Sequence, residues 1–189
     1  ILNIEVELMN MDELDADMEM TEEEGAYRFE NVQYYDEYVV APYKNDDPTN
    51  GVSTLDLVMI QRHILELEKI ESPYSIIAAD VNGNDDVSTT DLLLLRKVIL
   101  GIQSDFETNT SWRFIPTTHE IEDPTDPFDF PEKVLLSDLY VSNERIDFTA
   151  IKTGDVNGNA STNARQEENA STRNSPKILG IENQNIAKD

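Results

Sequence analysis

Polar and apolar residues alternate in three stretches near the beginning of the chain, and each stretch predicts a strand. Residues 3–8 place Ile, Val and Leu between Asn and Glu, which is the pattern of a half-buried strand. An acidic run at 12–24 separates them from the alternating residues 27–29. Residues 38–43 form the third stretch, in which Pro42 indicates an edge strand or a strand end. Because three strands are too few to close a sandwich, we expect this part of the fold to be incomplete.

The hydrophobic period changes to a helical one over residues 44–103. A helix is predicted after the first of two polar loops, with apolar residues at helical spacing: Leu57, Ile60, Ile64 and Leu67. Ser72 and Pro73 predict a helix start, because Pro suits the first helical position, and lead into a short turn through Ala79. Residues 92–100 predict a third helix, and Gly101 just past its end is a C-cap residue.

The pattern is mixed after the helical region. Residues 111–115 predict a strand, and the Pro- and Asp-rich residues 119–131 predict a loop. Alternation returns at residues 146–150. Residues 160–175 are rich in Ser, Thr, Asn and Glu, which is linker composition with no apolar face to bury. A last apolar patch at 178–181 predicts a terminal strand.

Composition narrows the range of functions. The 189 residues include 39 acidic and 14 basic side chains, for a net charge of -25, which repels nucleic acid and anionic membranes and attracts cations. The chain has no cysteine and two histidines, so disulfides, thiolate chemistry and a His-rich zinc site are not expected. No apolar run reaches the ~18 residues of a membrane helix, so we expect no membrane insertion. The chain opens at Ile1 rather than Met, and we expect it to be a mature piece of a longer protein.

Residues 80–91 follow the spacing of an EF-hand loop, which binds calcium through oxygens at positions 1, 3, 5, 7, 9 and 12. Position 7 contributes its backbone carbonyl, and position 12 returns a carboxylate from the following helix. Position 6, which usually needs glycine for a positive φ, is Asp85, a residue type that tolerates that conformation. The predicted ligands of this second loop are Asp80, Asn82, Asn84, Asp86, Ser88 and Asp91.

Residues 45–56 repeat this pattern and predict another calcium site. Only two carboxylates are available in this first loop, which predicts weaker binding than in the second loop. The beginning of the loop is ambiguous, because Asp46 competes with Asn45 for position 1. The predicted ligands are Asn45, Asp47, Thr49, Gly51 through its carbonyl, Ser53 and Asp56.

The two loops belong to an internal repeat. The phrase at 52–57, Val-Ser-Thr-Leu-Asp-Leu, recurs at 87–92 as Val-Ser-Thr-Thr-Asp-Leu. A third fragment, 155–159, copies the first five residues of the second loop, but its position 12 would be Gln166, which has no carboxylate. This fragment is either a capped turn or a third calcium site, whose ligands would be Asp155, Asn157 and Asn159.

The duplicated loop and helix resemble the type I dockerin family over residues 45–101. The resemblance implies two loop–helix units that need calcium to fold. It also implies binding of a cohesin domain through loop positions 10 and 11 and along the helices. Those positions are Thr54-Leu55 and Thr89-Thr90, and Leu55 departs from the small hydroxyl pair common in the family.

Residues 24–42 are similar to the closing strands of a Cna-B or carboxypeptidase-regulatory-like sandwich, as in large bacterial surface proteins. The expected fold class is therefore α+β: an incomplete Ig-like or Cna-B-like β-sandwich, a dockerin-like pair of calcium loop–helix units, and a mixed β and loop segment. The expected boundaries are 1–43 for the sandwich part, 44–103 for the repeat, 104–159 for an extension ending in Gly-Asp-Val-Asn-Gly-Asn, and 160–189 for a linker and terminal strand.

These features predict a non-catalytic, secreted or cell-surface module whose partner is a protein. A carboxylate hydrolase is the enzyme alternative, but the acidic residues at the loops are better explained as ligands, and no Ser-His-Asp arrangement or phosphate-binding glycine loop is present. The partner is either a cohesin-like domain, as in a secreted glycoside hydrolase, or another copy of this chain. Self-assembly into a filament would use β-strand addition, because residues 178–182 resemble residues 1–5.

Overall fold

The computed structural model of the protein describes residues 1, 3–137 and 145–162, and the backbone of the strand at 177–181. The predictions for the linker at 163–176 and for residues 182–189 lie outside the described residues. The strands are β1 (Glu5–Asn10), β2 (Asp15–Met20), β3 (Ala26–Tyr27), β4 (Tyr38–Tyr43), β5 (Trp112–Pro116), β6 (Val134–Leu136), β7 (Phe148–Lys152) and β8 (Lys177–Ile181). The helices are α1 (Thr54–Ile64), α2 (Pro73–Ala79) and α3 (Thr89–Ile99).

The first sheet joins strands from both sides of the helical region. Its order is β2-β1-β4-β6, and its strand pairs are antiparallel. β6 pairs only with residues 38–40 of β4. Pro42, which lies opposite Val6 on β1, is therefore beyond the end of β6. Because β6 does not pair with this residue, the N–H that proline lacks is not needed for pairing with β6. The strand-end position predicted for Pro42 is confirmed, since β4 ends at Tyr43.

The second sheet has the order β3-β8-β7-β5. β7 pairs antiparallel with both β5 and β8, and β8 pairs parallel with the two-residue β3. The terminal strand predicted at 178–181 thus joins a sheet of its own chain. Residues from both ends of the sequence are needed to build this sheet.

The two sheets share one hydrophobic core. Ile4 and Phe148 are fully buried in it, although they lie on opposite sides of the helical region in the sequence. The aromatic contribution comes largely from the second sheet, and the aliphatic contribution from the first. The buried members include Ile4, Val6, Leu8, Val40, Tyr27, Trp112, Phe114 and Phe148. The strands at 1–43 are therefore completed by strands that follow the helices, while the Ig-like or Cna-B-like class and the four-unit division stay predictions.

Helices α1, α2 and α3, which lie between β4 and β5 in the sequence, form a second hydrophobic core. Ile60 of α1 and Leu95 of α3 are fully buried there. α2 joins this unit to the second sheet, because Ile77 and Ala78 pack with Ile115 and Ile151 of β5 and β7. The predicted start of α2 at Ser72 and Pro73 is confirmed, with Ser72 as N-cap, and Gly101 has the positive φ of 65° expected after α3. In the described residues, no helix is both long and apolar enough to cross a membrane.

Two strands have no strong signal in the sequence. β2 lies inside the acidic run, and all six of its residues are exposed, so no apolar alternation marks it. β6 has only three residues, of which none is fully buried. Both are outer strands of the first sheet, where pairing with a neighbour rather than burial defines the strand.

Replacing Ile4 with Ala should lower the free energy of unfolding by roughly 2–5 kcal/mol, because it empties a fully buried site. Trp112, the single tryptophan of the chain, lies in the same core, so urea unfolding followed by its fluorescence measures the effect. Met18→Ala on the exposed face of β2 is the control and should change stability by less than about 0.5 kcal/mol. An unchanged fluorescence midpoint for Ile4→Ala would contradict a core shared by both ends of the chain.

Candidate calcium centres

The second loop connects α2 to α3. α2 ends at Ala79, and α3 begins at Thr89 behind the N-cap Ser88. Ser88 and Asp91 form a capping box, in which each side chain bonds the backbone N–H of the other. The local sequence therefore holds position 9 and position 12 of the predicted loop together before any ion is considered.

Asp80, at position 1, is fully buried at the start of the loop. Its carboxylate accepts hydrogen bonds from the backbone N–H of Gly83 (2.9 Å), Asn84 (3.1 Å) and Asp85 (3.0 Å). Burial raises the pKa of Asp80, and the nearby charge of Asp91 raises it further, while the three N–H groups lower it. A cation beside this carboxylate would favour its ionised form.

Asp91, at position 12, is also fully buried and closes the loop from α3. Its Oδ1 accepts from the N–H of Val81 (2.9 Å) and of Asn82 (3.1 Å). Its Oδ2 accepts from the N–H and the Oγ of Ser88, at 2.9 and 3.0 Å. The two ends of the second loop are thus joined through one carboxylate.

The side chain at position 3 carries an unsatisfied oxygen. Oδ1 of Asn82 is buried and has no hydrogen-bond partner among the described residues. A buried polar oxygen without a partner costs free energy, so such groups in folded proteins usually have a ligand, ion or water that satisfies them. An amide oxygen at position 3 is a calcium ligand in EF-hand loops. The residues present therefore fit a calcium ion at this loop.

The rest of the second loop has the predicted geometry. Asp85 has a φ of 64°, the left-handed conformation expected at position 6. Asn84 and Asp86 are exposed at positions 5 and 7. Thr108 and Asn109, which the ligand spacing does not predict, support the loop by donating to the carbonyls of residues 82 (2.8 Å) and 80 (3.1 Å). No spacing rule could have identified them, because they come from the connection after α3.

Asp56 closes the first loop from α1 in the same way. It is fully buried, and its Oδ2 accepts from the N–H and Oγ of Ser53, both at 2.8 Å. Its Oδ1, however, bonds a distant segment: the N–H of Val156 (2.9 Å) and the N–H and Nδ2 of Asn157 (3.2 and 2.9 Å). The C-terminal fragment 155–159 therefore lies directly beside the closing carboxylate of the first loop.

The ligands predicted at positions 1, 3 and 5 of the first loop make no hydrogen bond to Asp56 among the described residues. Asn45, Asp47 and Thr49 are all exposed. Oδ1 of Asn45 accepts from the N–H of Ser111 (2.9 Å), and Asp47 accepts from Oγ1 of Thr49 (3.4 Å). Among the described hydrogen bonds, none links these three side chains to Asp56, so the structure does not bring the front and back of the first loop together as it does in the second.

Asp155 opens the C-terminal fragment and is 6% exposed. Its carboxylate accepts from the N–H of Asn159 (3.1 Å) and of Ala160 (2.7 Å). Burial raises the pKa of Asp155, and the charge of Asp56 raises it further. The N–H groups of Asn159 and Ala160 thus cap the Asp155 carboxylate, and the fragment lies beside Asp56, a predicted calcium ligand. Calcium binding by the fragment itself stays a prediction.

A buried cation lies near this fragment. Lys152 of β7 is 4% exposed and donates to the carbonyls of Pro48 (3.0 Å) and Thr153 (3.1 Å). Burial lowers the pKa of Lys152 to about 8, and the charges of Asp155, Asp47 and Asp46 act in the opposite direction. Its ammonium ties residues 46–48 to the end of β7 and partly balances the acidic residues around it.

Comparison with known proteins finds a family match in the helical region. Residues 45–100 match the family model of the dockerin type I domain. Neither the curated proteins nor the solved structures contain a match to the chain. Dockerin domains are non-catalytic, calcium-binding modules of protein–protein interaction that bind cohesin domains, and they occur in extracellular cellulosome proteins. The match supports calcium binding in the dockerin-like region and does not extend to the rest of the chain.

The donor set suits calcium rather than a transition metal. Within the described residues, no three His, Cys, Asp or Glu side chains converge on one point. The second loop instead combines the two carboxylates of Asp80 and Asp91 with amide, hydroxyl and carbonyl oxygens. Calcium accepts such neutral oxygens readily, and the number of carboxylates then sets the affinity.

Asp91→Ala should abolish or strongly weaken calcium binding at the second loop, because it removes a ligand and one half of the capping box. Asp86→Ala is the matched control, since it removes the same charge from the same loop while its ligand is a backbone carbonyl. Titration calorimetry should show affinity falling on the order of tenfold or more for Asp91→Ala, and much less for Asp86→Ala. Equal losses in the two variants would contradict the assignment of position 12.

Proposed function

We propose that this chain is a non-catalytic, calcium-dependent module of protein–protein interaction in an extracellular or cell-surface bacterial protein. The observation that supports the calcium role best is Oδ1 of Asn82, a buried oxygen without a partner at a ligand position of the loop in the dockerin-like region. The cofactor is calcium, held at the second loop and at a second centre that involves Asp56. No residue is assigned a catalytic role.

Calcium would also stabilise the fold of the dockerin-like region. Asp56, Asp80, Asp91 and Asp155 are all nearly or fully buried, and a buried charge is costly unless it is compensated. Backbone N–H groups compensate part of this cost, and a divalent cation would compensate the rest. Metal binding free energy then becomes folding free energy.

Removing calcium should therefore lower the melting temperature and reduce helical circular dichroism. The comparison is between the protein in excess calcium and the same protein in EDTA, with magnesium as the control cation because it prefers a smaller, octahedral shell. Calorimetry should detect calcium uptake below millimolar concentrations. No uptake, together with the same melting curve in EDTA, would refute the proposed function.

The surface for a partner is available on the two helices. The residues at loop positions 10 and 11, Thr54-Leu55 and Thr89-Thr90, are exposed at the starts of α1 and α3. Large apolar side chains are also exposed along these helices, including Leu55, Val58 and Leu93. Such side chains favour a protein partner, while the net charge of -25 disfavours nucleic acid. A cohesin-like domain is the partner that the dockerin match favours.

A self-assembling filament subunit is the second candidate function, and β8 is the observation that favours it. This strand joins the second sheet between β7 and β3 by main-chain pairing. The same place in the sheet could accept β8 of another copy, which is β-strand addition. A head-to-tail exchange of this kind builds a filament if it does not close into a ring.

Particle size separates the two candidates. For a filament subunit, light scattering in calcium should show polymers for the intact chain and monomers after deletion of residues 176–189. For a dockerin-like docking module, the intact chain should remain monomeric and bind cohesin-like domains in a pull-down that depends on calcium. Monomers of both proteins at high concentration would exclude the filament.

A further inference from the structure

We propose that the first calcium centre is assembled from two separate segments of the chain. Asp155, Asn157 and Asn159 would supply positions 1, 3 and 5, and the carbonyl of Gly51 with Ser53 and Asp56 would supply positions 7, 9 and 12. Residues 45–49, which are the front of the continuous loop predicted at 45–56, have no part in this centre. The inference rests on the proposed calcium function and changes which residues carry it.

The closing carboxylates of the two centres make the same set of bonds. In the second loop, Oδ1 of Asp91 accepts from the N–H groups of residues 81 and 82, at positions 2 and 3. In the first, Oδ1 of Asp56 accepts from the N–H groups of residues 156 and 157, at 2.9 and 3.2 Å. Residues 156 and 157 thus stand where positions 2 and 3 of a continuous loop would be.

The opening carboxylates also correspond. Asp80 accepts from the backbone of the third, fourth and fifth residues that follow it. Asp155 accepts from Asn159 and Ala160, the fourth and fifth residues that follow it. The sequence Asp-Val-Asn-Gly-Asn is common to both, and Gly83 and Gly158 share a φ of 70°. The front half of the second loop is therefore reproduced in both sequence and backbone conformation.

The two segments meet where a continuous loop would pass from position 6 to position 7. A Cβ on Gly51 would lie 2.6 Å from both the N and the Cα of Ala160, so the two backbones are in direct contact. Asn50 fastens this junction, because its Nδ2 donates to the Ser161 carbonyl (2.8 Å) and its Oδ1 accepts from the Ser161 N–H (2.9 Å). The break in the chain thus falls between positions 6 and 7, so that residues 155–160 supply the first half of the loop and residues 51–56 supply the second half.

The apolar anchors of the two loops match as well. Val81, at position 2 of the second loop, is 1% exposed in the core of α1 and α3. Val156, at position 2 of the C-terminal fragment, is 2% exposed in the same core. The fragment is therefore an integral part of the helical unit, although it follows β7 in the sequence.

Calcium at this centre would join parts of the chain that are far apart. Val156 and Asp56 are 100 residues apart in sequence. The ion would bridge the start of α1 to the end of β7, and so link the helical unit to the second sheet. Because the ion would bind only when both segments are folded together, its binding free energy would add to the folding free energy of the helical unit and of the second sheet.

Calcium stoichiometry of full-length variants tests this inference. The wild-type chain should bind two calcium ions, and Asp155→Ala should bind one at concentrations that saturate the wild type. Asp47→Ala is the matched control, because it removes the same charge from the front of the continuous loop and should still bind two. Asn159→Ala serves if Asp155→Ala does not fold, since the Asn159 side chain is exposed, and it should weaken one site on the order of tenfold.

The outcomes separate the inference from the proposed function. If Asp47→Ala loses one ion while Asp155→Ala and Asn159→Ala keep both, the centre is the continuous loop and the inference is wrong, although the calcium function stands. If the wild type binds one ion and Asp91→Ala binds none, the composite centre is likewise refuted. If the wild type binds no calcium, the proposed function itself fails.

Hydrogen exchange gives an independent readout. On adding calcium to the wild-type chain, amides 155–160 and 51–56 should gain protection together, because both segments would hold the same ion. In Asp155→Ala, both gains should be lost while the gain at residues 80–91 remains. Protection confined to residues 45–56 would overturn the composite centre.

Discussion

The structure depends on acidic side chains that are buried and held by backbone N–H groups. Asp56, Asp80, Asp91 and Asp155 are nearly or fully buried in a chain of strong negative charge, and burial raises the pKa of Asp80 and of Asp155. Each accepts hydrogen bonds from several backbone amides, and those bonds fix the ends of the helices and the curvature of the loops. The same arrangement leaves the carboxylates in pairs, Asp80 with Asp91 and Asp155 with Asp56, which is a strong electrostatic reason for a divalent cation.

The placement of the helical unit within the sheets gives these acidic pairs a wider effect. The helices lie in sequence between β4 and β5, while each sheet combines strands from before and after them and both sheets share one core. α2 packs on β5 and β7, and the fragment after β7 packs against α1 and α3. Events at the loops can therefore affect the sheets through direct contacts.

Much of the local structure could be predicted from the sequence. The helical period, the spacing of Asp91 after Asp80 and the repeat of this pattern up to Asp56 identified both loop–helix units, because loop ligands are set by neighbours within a few residues. The structure adds Ser53 and Ser88 as the N-caps of α1 and α3. The strands with clear alternation or bulky apolar residues, such as β4 and β5, were also predicted. β2 and β6 were missed, because they are held by pairing with other strands and carry little buried surface.

The sequence by itself determined that this chain has two dockerin-like loop–helix repeats and a third copy of the loop's opening phrase, since those patterns are local. It could not determine which opening belongs to which closing carboxylate, and residues 45–49 were the obvious choice for Asp56 by proximity along the chain. Only the tertiary structure decided that Val156 and Asn157 donate to Asp56, while Asn45 bonds Ser111 instead. The physical reason is that Val156 is buried in the helical core, and its burial brings the following residues to α1 across a large separation in sequence.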